Sequence, residues 1–396
     1  MSKLNSFTVH AALSVCHMAG MIDLAALPLW IGTLMKFYGL GAPRAGLTVT
    51  AFLAAAVASS SVFAPMFTRL PHRLFAVGGF AIASCAFLAA SRLPTSADSF
   101  SVFLILHAVA GIGAGGALSV THGSIGRTSN PHRLFGIVNV AMGLLAIVMF
   151  AVLPGAIATA GGSVLFLAFA LTMGFAALVS LLFFPSVEKP VAGDASHAPR
   201  ALSAEPLSGI AWLIIGAIIC LALAQATVFS FVERIGDARG FGSDSVQFVL
   251  IVMGFINLIP GALAALLQRR LPPLGVGLAG PVLQTVLAMG ITHATIFPVY
   301  AVPAMAYVSV VIFTHTFLFG FLSKVDRTGR AVAATPAMMM SGSAIGPALG
   351  GVIVANVGYG GLGWAVLAIA TLAVTFLAIA RRKLARDALR PLLATA

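Results

Sequence analysis

The sequence predicts an all-α membrane protein, with twelve transmembrane helices in two pseudo-symmetric six-helix bundles. Three observations carry that prediction. The chain is 60% apolar and 8% charged over 396 residues, where an ordinary soluble domain is about 25% charged. It contains twelve apolar runs near the roughly 20 residues that a spanning helix needs. One polar, Pro- and Gly-bearing segment divides those runs six and six.

The runs cover 7–34, 44–67, 73–92, 99–122, 133–157, 162–185, 208–231, 244–268, 273–293, 297–322, 331–356 and 361–381. The first is too long for a signal-peptide core and lacks an Ala-x-Ala-like end, so it reads as a retained helix. Connections are short except at 186–207, which holds Glu188, Lys189, Pro190, Asp194, Pro199, Arg200 and Pro206. The expected organisation is therefore a bundle over 1–185, a linker over 186–207, and a second bundle with a basic tail over 208–396. Arg69-Leu70-Pro71 after the second run and Arg270-Leu271-Pro272 after the eighth mark equivalent places in the two halves.

Orientation follows from Lys and Arg. They concentrate after even-numbered runs, at Arg69, Arg73, Arg127, Arg133, Lys189, Arg200, Arg269, Arg270, Lys324, Arg327 and Arg330. Lys3 and the tail from Arg381 to Arg390 lie on the same side. The other side has only Lys36, Arg44, Arg92, Arg234 and Arg239. Both termini and the linker are thus expected in the cytoplasm, with the chain multi-pass in the cell inner (plasma) membrane. The +12 charge reads as topology and lipid-headgroup contact, not as a nucleic-acid surface. Cys16, Cys85 and Cys220 all fall in apolar runs and suggest no disulfide framework. Trp30 and Tyr38, with Tyr359 and Trp364, are placed where an interfacial aromatic belt would sit.

Asp23 is the only acid of the first run and lies near its middle. A carboxylate at that depth costs about 2.5–3.5 kcal/mol on insertion scales. Three uses fit it: a proton site on a transport path, a protonated group bonding a neighbouring helix, or a ligand for substrate or metal ion. Cys16, Asp23 and Trp30 share a helix face by their spacing of seven. Trp30, Asn139, Gln225, Asn257, Gln284 and His315 are candidate substrate-lining residues, each of which could equally join helices, at about 0.6 kcal/mol on average. Glu233 and Arg234, at the outer end of the seventh run, are expected to be solvated. No Lys or Arg lies at mid-depth, which favours neutral, amphipathic or cationic solutes. No phosphate-binding Gly-Lys-Ser/Thr loop, nucleophile elbow, paired carboxylates or Cys/His metal spacing occurs. No enzyme activity, cofactor or resident metal is therefore expected.

Four stretches carry a resemblance. Ala64 to Arg73 holds Arg69 and Arg73. His107-Ala108-Val109-Ala110-Gly111-Ile112-Gly113 keeps a Gly-x-Gly spacing. The fifth run has Gly143 followed by Ile147, Val148, Ala151 and Val152. The eleventh has Gly342-Ser343-Ala344-Ile345-Gly346-Pro347-Ala348-Leu349-Gly350-Gly351. Over its whole length the chain resembles the major facilitator superfamily. There the loop after helix 2 reads Gly-x-x-x-Asp-Arg-x-Gly-Arg-Arg; Arg69 and Arg73 match, but the acid of the conformational latch is absent. Asp326-Arg327-Thr328-Gly329-Arg330 has a similar core after the tenth run.

His107 stands where the family's helix 4 often has arginine. A histidine can change charge near neutral pH, so the resemblance makes His107 a proton-coupling candidate beside Asp23; a neutral packing histidine is the alternative. The family's export-associated Gly-x-x-x-Gly-Pro-x-x-Gly-Gly pattern is mostly missing from helix 5 but complete in helix 11. Gly111, Gly113, Gly342, Gly346, Pro347, Gly350 and Gly351 are therefore expected to serve conformational change through close helix contacts.

The expected function is secondary active transport, acting as a monomer on a small neutral, amphipathic or cationic solute, with protons and membrane lipids as partners. Proton-coupled export by alternating access is the leading reading. Import or passive facilitation on the same fold, or a non-transporting receptor or lipid-handling role, are the alternatives.

Overall fold

The structure is a computed structural model that describes residues 6–185, 207–326, 331 and 335–393. The expected linker therefore lies outside the described residues except for Leu207, as do Arg327 to Arg330 of the Asp-Arg-x-Gly-Arg stretch. Among the described residues, twelve helices are long and apolar enough to cross a membrane: α1 (Phe7–Lys36), α2 (Ala42–Phe63), α3 (His72–Ala90), α4 (Ala97–Ile125), α5 (Arg133–Ala160), α6 (Ser163–Phe183), α7 (Gly209–Ala238), α8 (Ser243–Leu267), α9 (Pro273–His293), α10 (Phe297–Val325), α11 (Ala337–Val357) and α12 (Gly360–Arg386). No strand occurs among the described residues.

Local chemistry sets the ends. Ser6, Asn130 and Ser208 cap helices by accepting the backbone N–H of Val9, Arg133 and Ala211. Gly161 ends α5 at φ 89°, and Gly358 follows α11 at φ 77°, a conformation that only glycine adopts without strain. The seventh apolar run extends further than expected, to Ala238 rather than 231. Hydropathy stops at Glu233, but the chain breaks at Ser230–Phe231 and resumes as the short helix Val232–Ala238.

The first helix of each half is discontinuous. α1 comprises Phe7–Gly20 and Ile22–Lys36, parted at Met21 (φ −113°, ψ 29°). Gly20 weakens the helix there, and Pro28 removes the N–H that would bond the Leu24 carbonyl. Broken spanning helices leave backbone polar groups free at depth, and they are tolerated where protein or a cavity receives those groups.

Within the first half, small residues bring α4 against α2 and α3. A Cβ on Gly111 or Gly115 would collide with the Phe52 or Ala56 carbonyl, and one on Gly113 with the Gly79 carbonyl. Ser59 and Ser60 donate to the Ile112 and Gly115 carbonyls at 2.7 Å. Arg73 ties α3 to the end of α6, donating from Nε and Nη2 to the Phe184 carbonyl at 3.0 and 2.9 Å. Arg69 is exposed. Arg127 lies over the Phe67 ring, 4.6 Å from its centroid, and Phe67 stacks on His72. Cation–π contact and carbonyl capture hold this loop, where the family's acid is missing.

In the second half, Gly342, Gly346 and Gly350 pack α11 on α7. Cβ atoms there would meet Ile219, Ala226 and Phe231. The neighbouring face of α11 meets the other half. A Cβ on Gly351 would strike the Ala42 carbonyl, and one on Gly46 the Pro347 carbonyl, while the Ala348 N–H donates to Thr50 Oγ1 at 3.1 Å.

Candidate functional site

The two halves touch at one end and part toward the other. Call the far end the one with residues 37–41 and 239–242, and the linker end the one with residues 64–71 and 268–272. The α2–α11 contacts above all lie toward the far end. On α5 and α8, Gln247 Nε2 donates to the Phe150 and Ala151 carbonyls at 3.1 and 3.0 Å. Further in, Gly254 meets Ile147 and Gly143 meets Leu258. Seven residues on, along the same faces, Gly136 and Gly261 have open space where a Cβ would stand. Asn139, between Gly136 and Gly143, is exposed, as are Ala54 and Ser61 on the continuing face of α2. The space between the halves therefore opens at the linker end.

Asp23 opens the second piece of α1, two residues past the break. It is 3% exposed, and its Oδ1 is buried with no hydrogen-bonding partner. Its stripe faces its own bundle. Cys16 lies 3.1 Å from the Ser180 hydroxyl of α6, and Trp30 reaches α4 and α6. No ion pair involves Asp23 among the described residues.

His107 is fully buried within rings of Trp30, Phe87, Phe103 and Phe166. Trp30 Nε1 donates to its Nε2 at 3.0 Å, and its Nδ1 lies 2.8 Å from the Phe103 carbonyl. An indole N–H only donates and a carbonyl only accepts. The ring is therefore the neutral tautomer with its proton on Nδ1, and both nitrogens are committed. No hydrogen bond joins His107 to Asp23 among the described residues. Trp30 and Tyr38 are 0% exposed, which removes them from the expected aromatic belt; Trp364, 60% exposed, is placed as a belt residue would be.

The Trp30–His107 bond makes a measurable prediction. Trp30→Phe leaves His107 Nε2 buried without a donor and should cost about 1–3 kcal/mol. Adding His107→Leu removes the orphaned acceptor and should recover part of that loss. Thermal midpoints of the two purified variants check it.

The other candidates sit apart. Gln284, fully buried, donates from Nε2 to the Leu221 carbonyl at 3.2 Å, beside Tyr307, whose hydroxyl donates to the Ala224 carbonyl at 2.8 Å. His315 Nε2 lies 3.3 Å from the Ile218 carbonyl. All three tie α9 or α10 to α7. Asn257 Oδ1 accepts from Ser309 at 2.7 Å. Gln225 is partly exposed. No hydrogen bond joins any two of Asn139, Gln225, Asn257, Gln284 and His315 among the described residues.

Two features escaped sequence reading. His17 Nδ1 and His122 Nε2 meet at 3.0 Å between α1 and α4, beside Phe135; nothing local pairs positions so distant in sequence. Glu233, expected in solvent, has Oε2 buried without a partner. Val232 and Ile235, both buried, are the pattern that could have extended the helix past it.

A family model described as Major Facilitator Superfamily matches residues 13–325. No curated protein matches the sequence. Among solved structures, the chain is similar to a D-xylose-proton symporter, with TM-score 0.73 and 14% identity, covering 94% of this chain and 97% of that one. It is also similar to a bacterial homolog of the human lysosomal transporter Spinster, solved inward-facing and unoccupied. There the TM-score is 0.69 and the identity 15%, covering 96% of this chain and 97% of that one. At these identities the likeness is one of fold.

Proposed function

Because the chain belongs to the major facilitator superfamily, we propose that it is a proton-coupled secondary transporter that exports a small neutral, amphipathic or cationic solute by alternating access. The observation that carries this reading is Asp23. It is a carboxyl buried at a helix break with a free Oδ1 and no cation, in a fold whose halves meet at one end and part at the other. Such a group binds a proton when shielded and releases it when water arrives. Asp23 is the proton site, and His107 is a positioning residue that holds Trp30 and the α1–α4 contact.

The basic loops support a cytoplasmic linker end in the inner membrane, and on that reading the opening between the halves faces inward. Asn139 lies on the α5 stripe that faces the opening and is the first candidate for substrate contact. No Lys or Arg is buried among the described residues, which supports solutes without strong negative charge. The pattern the family associates with export stands in α11, the counterpart of helix 5 in the other half, and the export reading leans on that resemblance alone.

A thermal-shift screen of the purified protein against solute libraries identifies the ligand, since binding to the folded state raises stability by mass action. Proteoliposomes then test coupling. Accumulation should follow an imposed pH gradient and collapse with a protonophore. Flux that follows only the solute gradient would make the protein a passive facilitator; binding without flux would make it a receptor.

A further inference from the structure

At the far end the halves also meet through α1 and α7. Glu233 follows the α7 break, and its carboxyl lies against Gly32 of the other half. A Cβ on Gly32 would stand 2.7 Å from Oε2 and 2.9 Å from Oε1. The carboxyl therefore occupies space that any other residue at 32 would fill. Oε2 is buried and has no hydrogen-bonding partner.

The charged and titratable groups that reach it are Lys36 of α1, Arg234 and Asp237 beside it on α7, and Tyr300 of α10. None of them pairs with it. Arg234 Nη1 bonds Asp237 Oδ2 at 3.2 Å, the one ion pair among the described residues. Lys36 is exposed, with its ammonium 5.8 Å from the Phe37 ring centroid. The Tyr300 hydroxyl donates to the Val232 carbonyl at 2.8 Å, and Arg239 is turned onto the Thr292 carbonyl. Oε2 is shut from water here with no cation bonded to it, and a neutral carboxyl lowers the cost of that burial.

We propose that Glu233 is a second proton-binding site, separate from Asp23, and that the far end closes onto Gly32 only when the Glu233 carboxyl carries a proton. When the halves part there, water reaches the carboxyl and it ionises within the field of Lys36 and Arg234. Closing takes up one proton. The closed-to-open ratio is therefore highest in acid and falls by up to about tenfold per pH unit as the far side becomes alkaline. The inference rests on the alternating-access reading but not on Asp23.

The test is a distance measurement by pulsed electron spin resonance on the full chain in lipid. Spin labels are placed at Thr95→Cys and Thr295→Cys, both exposed at the far end of opposite halves, with Cys16, Cys85 and Cys220 replaced by alanine. The wild type should give a short distance at about pH 5.5 and a growing longer population toward about pH 8.5. Glu233→Gln, which keeps the neutral shape, should stay short throughout. Gly32→Ala, whose Cβ takes the seat, should turn the flexible Glu233 side chain out toward water and flatten the pH response. Asp23→Asn should keep the wild-type response, whatever its transport. A wild-type distance that ignores pH, or a Glu233→Gln profile that follows the wild type, would overturn the proposal. An Asp23→Asn protein that loses the response would assign the gate to Asp23 and overturn it as well.

Discussion

Asp23→Asn is expected to abolish gradient-driven accumulation while leaving a folded, solute-binding protein. One pH unit is worth about 1.4 kcal/mol per proton, so a one-proton exchanger concentrates an uncharged solute about tenfold across it. The asparagine variant should show no accumulation. It should still exchange labelled for unlabelled solute, because the amide keeps the neutral shape of a carboxyl whose Oδ1 has no partner to lose. Its thermal midpoint should match the wild type. Accumulation equal to wild type in reconstituted vesicles would remove Asp23 from coupling.

Gly351→Leu is expected to hold the far end apart. Gly351 sits on the Ala42 carbonyl, where α11 of one half crosses α2 of the other, and Pro43 Cα is 3.0 Å from the position of a Cβ. Neither is a flexible side chain that can move aside. Overpacking typically costs about 1–3 kcal/mol. Because that cost falls only on the state closed at the far end, it shifts the closed-to-open ratio about 5- to 150-fold. Turnover should drop by a similar factor, while solute binding from the far side persists. Gly350→Leu acts differently, since Gly350 faces Phe231 and Thr227 of its own half. It should destabilise the bundle in both states. Transport rates, binding and thermal midpoints of the two variants separate these effects, and identical behaviour would contradict the two-face account of α11.

The spans were legible because a membrane demands one long apolar run per helix, and that constraint is local. The glycine spacing in helix 11 marked a close approach for a similar reason. Which neighbour each glycine meets was not legible. Gly346 and Gly351 are five residues apart yet serve an α7 contact and an α2 contact. Depth along a helix can be counted from sequence, but the direction a residue faces depends on packing. Trp30 was read toward the membrane interface and is fully buried against His107. Glu233 was read into solvent because an acid ends a hydropathy run, although the helix continues and lays the carboxyl on Gly32. His17 and His122, 105 residues apart, carry no shared sequence signature at all.

In coupled export, solute movement and proton movement are one event. The direct measurement is lumenal pH, read with a trapped fluorescent dye in proteoliposomes, as the identified solute runs down its own gradient with no pH gradient imposed. Protons should move opposite to the solute, in proportion to it, and not at all in Asp23→Asn. Solute flux that leaves the lumenal pH unchanged in the wild type would contradict coupled export.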